Sequence, residues 1–333
     1  MNDDYLSYPA RSNSTITSDP NSQHILVFFV PGNPGLIGYY APFLSTLRDL
    51  LDSNASLAAT TNFHIHGQNL AGFIDEDHEP FTSQRKPHNL EYQIQHILTT
   101  VTSLRTPSGP KQGQPYDHVL LVGHSVGAYI ALETCHRVLR DPSLAPHTKL
   151  SSGILLFPTI EHITDSSNGW KLNMLRQTPL LGDNAYRVAQ GFLRLWPYDT
   201  LHWFVSKALG FPPHAADVTT RWLKSRDGVW QALHLGMDEM RVIREDKWDN
   251  ELWDIDQSSK SAIPRFYFFF GRRDHWVADH YRDAFIKKRS EQDKRTRLIV
   301  DEADLPHAFC IEHSEPVAQK VYEWILEMFG THT

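Results

Sequence analysis

The sequence predicts an α/β fold: a mostly parallel central sheet with helices on both faces, interrupted by a largely helical insertion. Three observations predict it. Short apolar runs recur along the chain without polar alternation, as strands buried on both faces do. Segments of helical period separate these runs. Between about residues 158 and 262 the alternation lapses, and helix- and loop-forming sequence carrying most of the nine tryptophans takes its place.

Residues 1–20 are polar and aperiodic, a tail or a short edge element. His24 to Val30 (HILVFFV) reads as a buried strand, stopped by Pro31-Gly32-Asn33-Pro34-Gly35, a run that continues neither helix nor strand. A helix follows over Tyr39 to Leu51, then a strand at Phe63 to His66. Leu90, Ile94, Ile97, Leu98, Val101 and Leu104 share one helical face. After a turn-rich loop (Arg105 to Gln114), His118 to Val122 is a strand and Ala128 to Glu133 opens a helix. Gly153 to Phe157 is a strand ended by Pro158. Past the insertion come a strand (Arg265 to Phe270), a helix (Asp279 to Lys288) and a strand (Arg297 to Val300). A closing helix, entered through Ser314-Glu315-Pro316, carries Val317, Val321, Trp324, Ile325 and Met328 on one face. The domain reading is a tail at 1–20, a core of 21–157 and 263–333, and a helical cap insertion at 158–262.

Between the fourth strand and its helix lies Gly123-His124-Ser125-Val126-Gly127. This is G-x-S-x-G, the nucleophile elbow of the α/β-hydrolase fold, in the strand–turn–helix context that the motif requires. A serine at the apex of so tight a turn is lifted clear of the sheet. The residues two positions either side approach closely, so both are glycine.

A serine hydroxyl becomes a useful nucleophile when a base takes its proton, and the base is oriented by a carboxylate. In this fold the chain order is Ser, then Asp or Glu, then His, each on a loop after a strand. Asp274 follows the strand Arg265 to Phe270, and His307 lies on the loop after Arg297 to Val300. Asp279 opens a helix, where a carboxylate merely stabilises the N-terminus. Asp301 and Asp304 share the histidine's own loop, and His275 and His280 break the order. His313 is the one serious substitute for His307. An oxyanion hole needs two backbone N–H groups. Val126 supplies one; Asn33 is the best donor for the second, because Pro31 and Pro34 have no N–H.

Composition bounds the rest. A net charge of −7 argues against a nucleic-acid partner. Two cysteines, Cys135 and Cys310, make no disulfide framework and fit a reducing compartment. No apolar h-region of a signal peptide and no ~20-residue apolar run of a spanning helix is seen. His64-x-His66 lacks a third ligand at usual spacing and reads as alternating strand side chains, so no metal and no cofactor is expected. Val188 to Pro213 is dense in Phe192, Leu193, Leu195, Trp196, Trp203, Phe204, Val205, Leu209 and Phe211, with charges too frequent for a span and Pro197 dividing it into two short helices. It is either the cap's own core or an interfacial piece. On the second reading Phe192, Trp196, Trp203 and Phe204 contact lipid.

The sequence resembles the lipid-droplet-associated hydrolases, serine hydrolases of the α/β-hydrolase superfamily. The resemblance is carried by Val30-Pro31-Gly32-Asn33-Pro34-Gly35 with Tyr39, Tyr40 and Phe43, the elbow through Tyr129, Ser166-Ser167-Asn168-Gly169, and Leu305-Pro306-His307-Ala308-Phe309. It implies Ser125 as nucleophile, Asp274 as acid and His307 as base. It also implies residence on lipid droplets and the endoplasmic reticulum, and turnover of neutral lipid. The expected function is hydrolysis of a lipid acyl ester at a peripheral membrane surface. A thioesterase or acyltransferase with the same triad, and a droplet-organising protein with little turnover, are the alternatives.

Overall fold

The computed structural model describes residues 4–10, 22–178, 181–248, 252–253, 264–292 and 295–330. Seven strands form one sheet in the order β1-β3-β2-β4-β5-β6-β7: β1 Tyr5–Tyr8, β2 Gln23–Val30, β3 Thr61–Gln68, β4 His118–His124, β5 Leu150–Leu156, β6 Arg265–Phe270 and β7 Arg297–Val300. All neighbours run parallel except β1, which pairs antiparallel with β3, Tyr5 opposite Gln68. The fold is that of the α/β-hydrolases. Of the two readings of residues 1–20, a tail or a short edge element, residues 5–8 take the second, an edge strand of the sheet; four residues are too short a run to show a period. Residues 1–3 and 11–20 of the expected tail lie outside the described residues, as does most of the stretch around the expected end of the insertion at residue 262.

Beyond the hydrophobic effect, register explains why the central strands are apolar throughout. Phe28 stands beside Leu121, Val122 beside Ile154, and Leu155 beside Phe268, all buried. Side chains of β6 divide between the two faces. Tyr267 and Phe269 meet Trp324 of helix α11 (Ser314–Phe329), and Phe268 and Phe270 meet Phe285 of α10 (Asp279–Gln292). Helix α1 (Ala41–Ser53) packs on α11, while α3 (Leu90–Ser103) packs on α4 (Val126–Arg140). A single turn, α2 (Ala55–Ala58), follows α1. The helix expected from Tyr39 starts with a 3-10 turn over Ile37–Tyr40, and the α-helix begins at Ala41 with Pro42 in its first turn, where a missing N–H costs nothing.

Between β5 and β6 the described chain is helical: α5 Ser167–Gln177, α6 Leu181–Arg194, α7 Tyr198–Trp203, α8 Pro213–Lys224 and α9 Gly228–Val242. Pro197 is the N-cap residue of α7 and separates it from α6, as the sequence leads one to expect. These helices stand over the C-terminal ends of the strands, which is where ligands bind in open parallel sheets.

Candidate active site

Ser125 connects β4 to α4 with φ 55° and ψ −123°, a conformation that side-chain-bearing residues rarely adopt. The turn closes because its neighbours lack side chains. A Cβ on Gly123 would lie 2.3 Å from the Gly127 carbonyl oxygen, and one on Gly127 would lie 2.2 Å from that of Val30. The Ser125 N–H donates to Leu156 O, pinning the elbow to β5 (3.0 Å).

His307 and Asp274 meet Ser125 from two other loops. His307 Nε2 lies 2.9 Å from Ser125 Oγ, and His307 Nδ1 lies 2.7 Å from Asp274 Oδ2. The Asp274 side chain is almost wholly buried, and its Oδ1 accepts the Trp276 N–H at 2.8 Å. A carboxylate accepts only, so Nδ1 carries the histidine proton and Nε2 is left to accept from the serine. His313 sits at the N-cap position of α11 and lines no part of this site. The other carboxylates have structural tasks. Asp279 opens α10 and pairs with Arg282. Asp301 accepts the N–H groups of Ala303 and Leu305, shaping the His307 loop, and Asp304 pairs with Arg273.

Tyr40 and His124 join three of these loops in one buried chain. Gly32 N–H donates to Tyr40 Oη (3.0 Å), Tyr40 Oη lies 2.7 Å from His124 Nδ1, and His124 Nε2 lies 2.8 Å from the His307 carbonyl oxygen. That carbonyl can only accept, so His124 Nε2 holds the proton and Tyr40 donates to Nδ1. Burial, with His307 adding to it, pushes the His124 pKa well below the usual histidine value. The arrangement also uses up the Gly32 N–H. The Asn33 N–H has no acceptor among the described residues, and Val126 stands at a helix N-terminus, where N–H groups have no intrahelical partner.

A cavity of about 330 Å³ opens over Ser125. Its floor is Asn33, Tyr39, Tyr40, His124 and His307; its roof is Leu172 of α5, Thr219 and Trp222 of α8, and Gly236 and Glu239 of α9. The roof is attached to the acid loop by the Ser166–Gly169 turn. Ser166 Oγ caps α5 by accepting the Gly169 N–H, and Asn168 N–H donates to His275 O at 2.9 Å.

The model of one protein family, described as lipid-droplet associated hydrolase, matches residues 23–310. The chain belongs to this family. A lipid droplet-associated hydrolase of Rattus norvegicus is 28% identical over 314 residues, covering 90% of this chain and 84% of the relative. One from Drosophila melanogaster is 24% identical, covering 90% and 88%. Among solved structures, a peroxisomal alpha-beta-hydrolase of Saccharomyces cerevisiae, Lpx1, superposes with a TM-score of 0.61 at 12% identity, covering 99% of this chain and 82% of that one. At that identity the likeness concerns the fold.

The structure divides the apolar segment of this family member, Val188 to Pro213, in two. Leu201 and Val205 are buried with Ala216 in a small second core, against which Leu193, Trp196 and Phe211 pack. Phe192, Leu195, Trp203, Phe204 and Leu209 are exposed, Leu195 to 80% and Trp203 to 61%. Trp196 thus differs from the other three residues expected to contact lipid: it is half-buried, with its ring 5.5 Å from that of Phe204 and 6.0 Å from that of Phe192. Among the described residues no helix is long and apolar enough to cross a membrane.

Two groups of residues escaped the sequence reading. Asp75, His78 and Asp227 lie close enough together to ligate a metal. Their carboxylates are already engaged: Asp75 accepts the backbone N–H groups of Arg226 and Asp227, and Asp227 accepts Phe81 N–H and Arg226 Nε. Arg226 supplies the positive charge there, so the group is a clamp between α9 and the 75–81 loop. His64 and His66 are side chains of β3, as expected; His64 stacks on His24. The second group is Glu239, buried at the cavity wall with its Oε1 3.0 Å from Asn33 Nδ2. Its helix carries no motif, so no sequence signal linked it to Asn33, 206 residues away.

Proposed function

We propose that this protein is a serine hydrolase that cleaves the acyl ester of a neutral lipid through an acyl-enzyme on Ser125. The observation that carries the reading is the unbroken chain Ser125 Oγ, His307, Asp274 beneath a mostly apolar cavity. In the first half-reaction His307 Nε2 takes the Ser125 proton as Oγ bonds to the ester carbonyl carbon. The carbonyl oxygen gains the charge and accepts from the N–H groups of Asn33 and Val126. Asp274 steadies the imidazolium. As the carbon–oxygen bond to the alcohol breaks, His307 returns its proton to the departing oxygen, leaving the acyl group on Ser125. Water then enters, gives a proton to His307, and the acid departs as Ser125 recovers its hydrogen.

Family membership supports residence at the lipid-droplet surface; residence on the cytosolic face of the endoplasmic reticulum belongs to the same proposal. The exposed face of Phe192, Leu195, Trp203, Phe204 and Leu209 suits a phospholipid monolayer, with Arg194 and Lys207 beside it for the headgroups. The test is fatty-acid release from an emulsified sterol ester or acylglycerol by wild type and by Ser125→Ala. Release that falls in kcat by on the order of 10⁴-fold or more in the variant is the expected result. A Ser125→Ala variant as active as wild type excludes the mechanism. Faster turnover of an acyl thioester than of any ester redirects the substrate assignment to a thioesterase.

A further inference from the structure

Glu239 is the acidic side chain at the wall of a cavity that no lysine or arginine lines among the described residues. Its hydrogen bond to Asn33 has a fixed direction. Asn33 Nδ2 lies 3.0 Å from the Ala232 carbonyl oxygen, which only accepts, so the amide nitrogen must face that way. The same nitrogen then donates its other hydrogen to Glu239 Oε1 at 3.0 Å. Helix α9 thereby grips the side chain of a residue that lines the same cavity as Ser125 and whose backbone N–H has no acceptor among the described residues. Gly32, its neighbour, is held from the opposite side by Tyr40.

We propose that Glu239 is a positioning residue for the oxyanion loop and that it does this work as the uncharged acid. The proposal rests on the Ser125 reading above. Two electrostatic facts require the uncharged form. Attack by Ser125 builds negative charge on the substrate oxygen beside Asn33. A second negative charge on Asn33's own partner, in a buried site with no lysine or arginine at the wall among the described residues, would oppose it. Burial raises the Glu239 pKa to about 8, with the hydrogen bond from Asn33 pulling it down and Asp238, next along the helix, pushing it up, so the acid form prevails at neutral pH. The other titratable groups of the cavity are Tyr39, Tyr40, His124, Cys310 and His307. Burial holds Tyr39, Tyr40 and Cys310 protonated and His124 uncharged. The residues that α5 and α8 bring to the wall, Leu172, Thr219 and Trp222, carry no charge.

The sign follows. Below pH 8 Glu239 is neutral and the loop is competent; above it the carboxylate forms and reaction at Ser125 slows. The test is the rate at which an uncharged alkyl fluorophosphonate labels Ser125, a reaction that also builds charge on an oxygen in the oxyanion hole and needs no knowledge of the natural substrate. The readout is the ratio of the rates at pH 9 and pH 7 within one protein, so a general loss of activity does not enter. In wild type the ratio should be about one tenth, as the neutral fraction of such an acid falls. In Glu239→Gln, which cannot ionise, it should be close to one. Glu239→Met, uncharged and of similar length, is the second variant and should also be flat. A wild-type ratio near one, or the same tenfold fall in either folded variant, overturns the proposal and leaves Ser125 as nucleophile. A wild type that the probe does not label at any pH overturns the Ser125 reading, and this proposal with it.

Discussion

Ser125, Asp274 and His307 lie 149 and 33 residues apart along the chain in their order, yet the two hydrogen bonds that join them span under 3 Å each. They were legible because each stands just past a strand that reads as buried, and chain order removed the rivals. Asp301 and Asp304 were set aside on position alone; in the structure Asp301 accepts N–H groups of the loop that carries His307, and Asp304 pairs with Arg273. Glu239 was not legible. Its meaning comes from a helix laid across Asn33, and neither residue type nor spacing announces that. Asp274 has a prediction of its own. Asp274→Asn keeps the shape but offers an N–H where a lone pair is needed, so His307 adopts the tautomer that cannot accept from Ser125. Ester turnover at neutral pH should fall by on the order of 10⁴-fold in kcat with an unchanged melting temperature. Activity within tenfold of wild type would remove Asp274 from its role.

At the scale of elements, the strands were read nearly to their ends, since apolar runs bounded by glycine and proline are strong signals. Residues 1–20 read as a tail or a short edge element, and four residues, Tyr5–Tyr8, are too short a run for sequence to choose between the two. The α6–α7 segment shows a different limit. Its sequence gives the density of aromatic residues but not which way each faces: some side chains turned out to be core, and others are exposed, as the interfacial reading requires. Leu201 and Val205 make a local core; Phe192, Trp203 and Phe204 are at the surface. Fully inserted, each of these three contributes roughly 1.5–3 kcal/mol of apolar transfer. Replacing Phe192, Trp203 and Phe204 by serine, and sparing Trp196, should lower partitioning onto phospholipid-coated triacylglycerol droplets by roughly 100-fold or more. Flotation of droplets with purified protein checks it. Undiminished flotation of the folded triple variant would move docking to another surface.

For the molecule as a whole, the parallel sheet brings the ends of β2, β4, β6 and β7 to one edge, and α5, α8 and α9 roof that edge to form a largely apolar chamber. The sheet and its catalytic order follow from local pattern, whereas the roof follows from how separate helices settle on the sheet, which local pattern does not encode. The central claim is that this chamber houses an activated serine at position 125. Its most direct measurement is peptide mapping by mass spectrometry after brief treatment of the folded protein with an alkyl fluorophosphonate. An activated Ser125 gives one modified peptide, carrying the adduct on Ser125, with no labelling once the protein is heat-unfolded or carries His307→Ala. Labelling spread over other serines, or a folded wild type left unmodified, would contradict it.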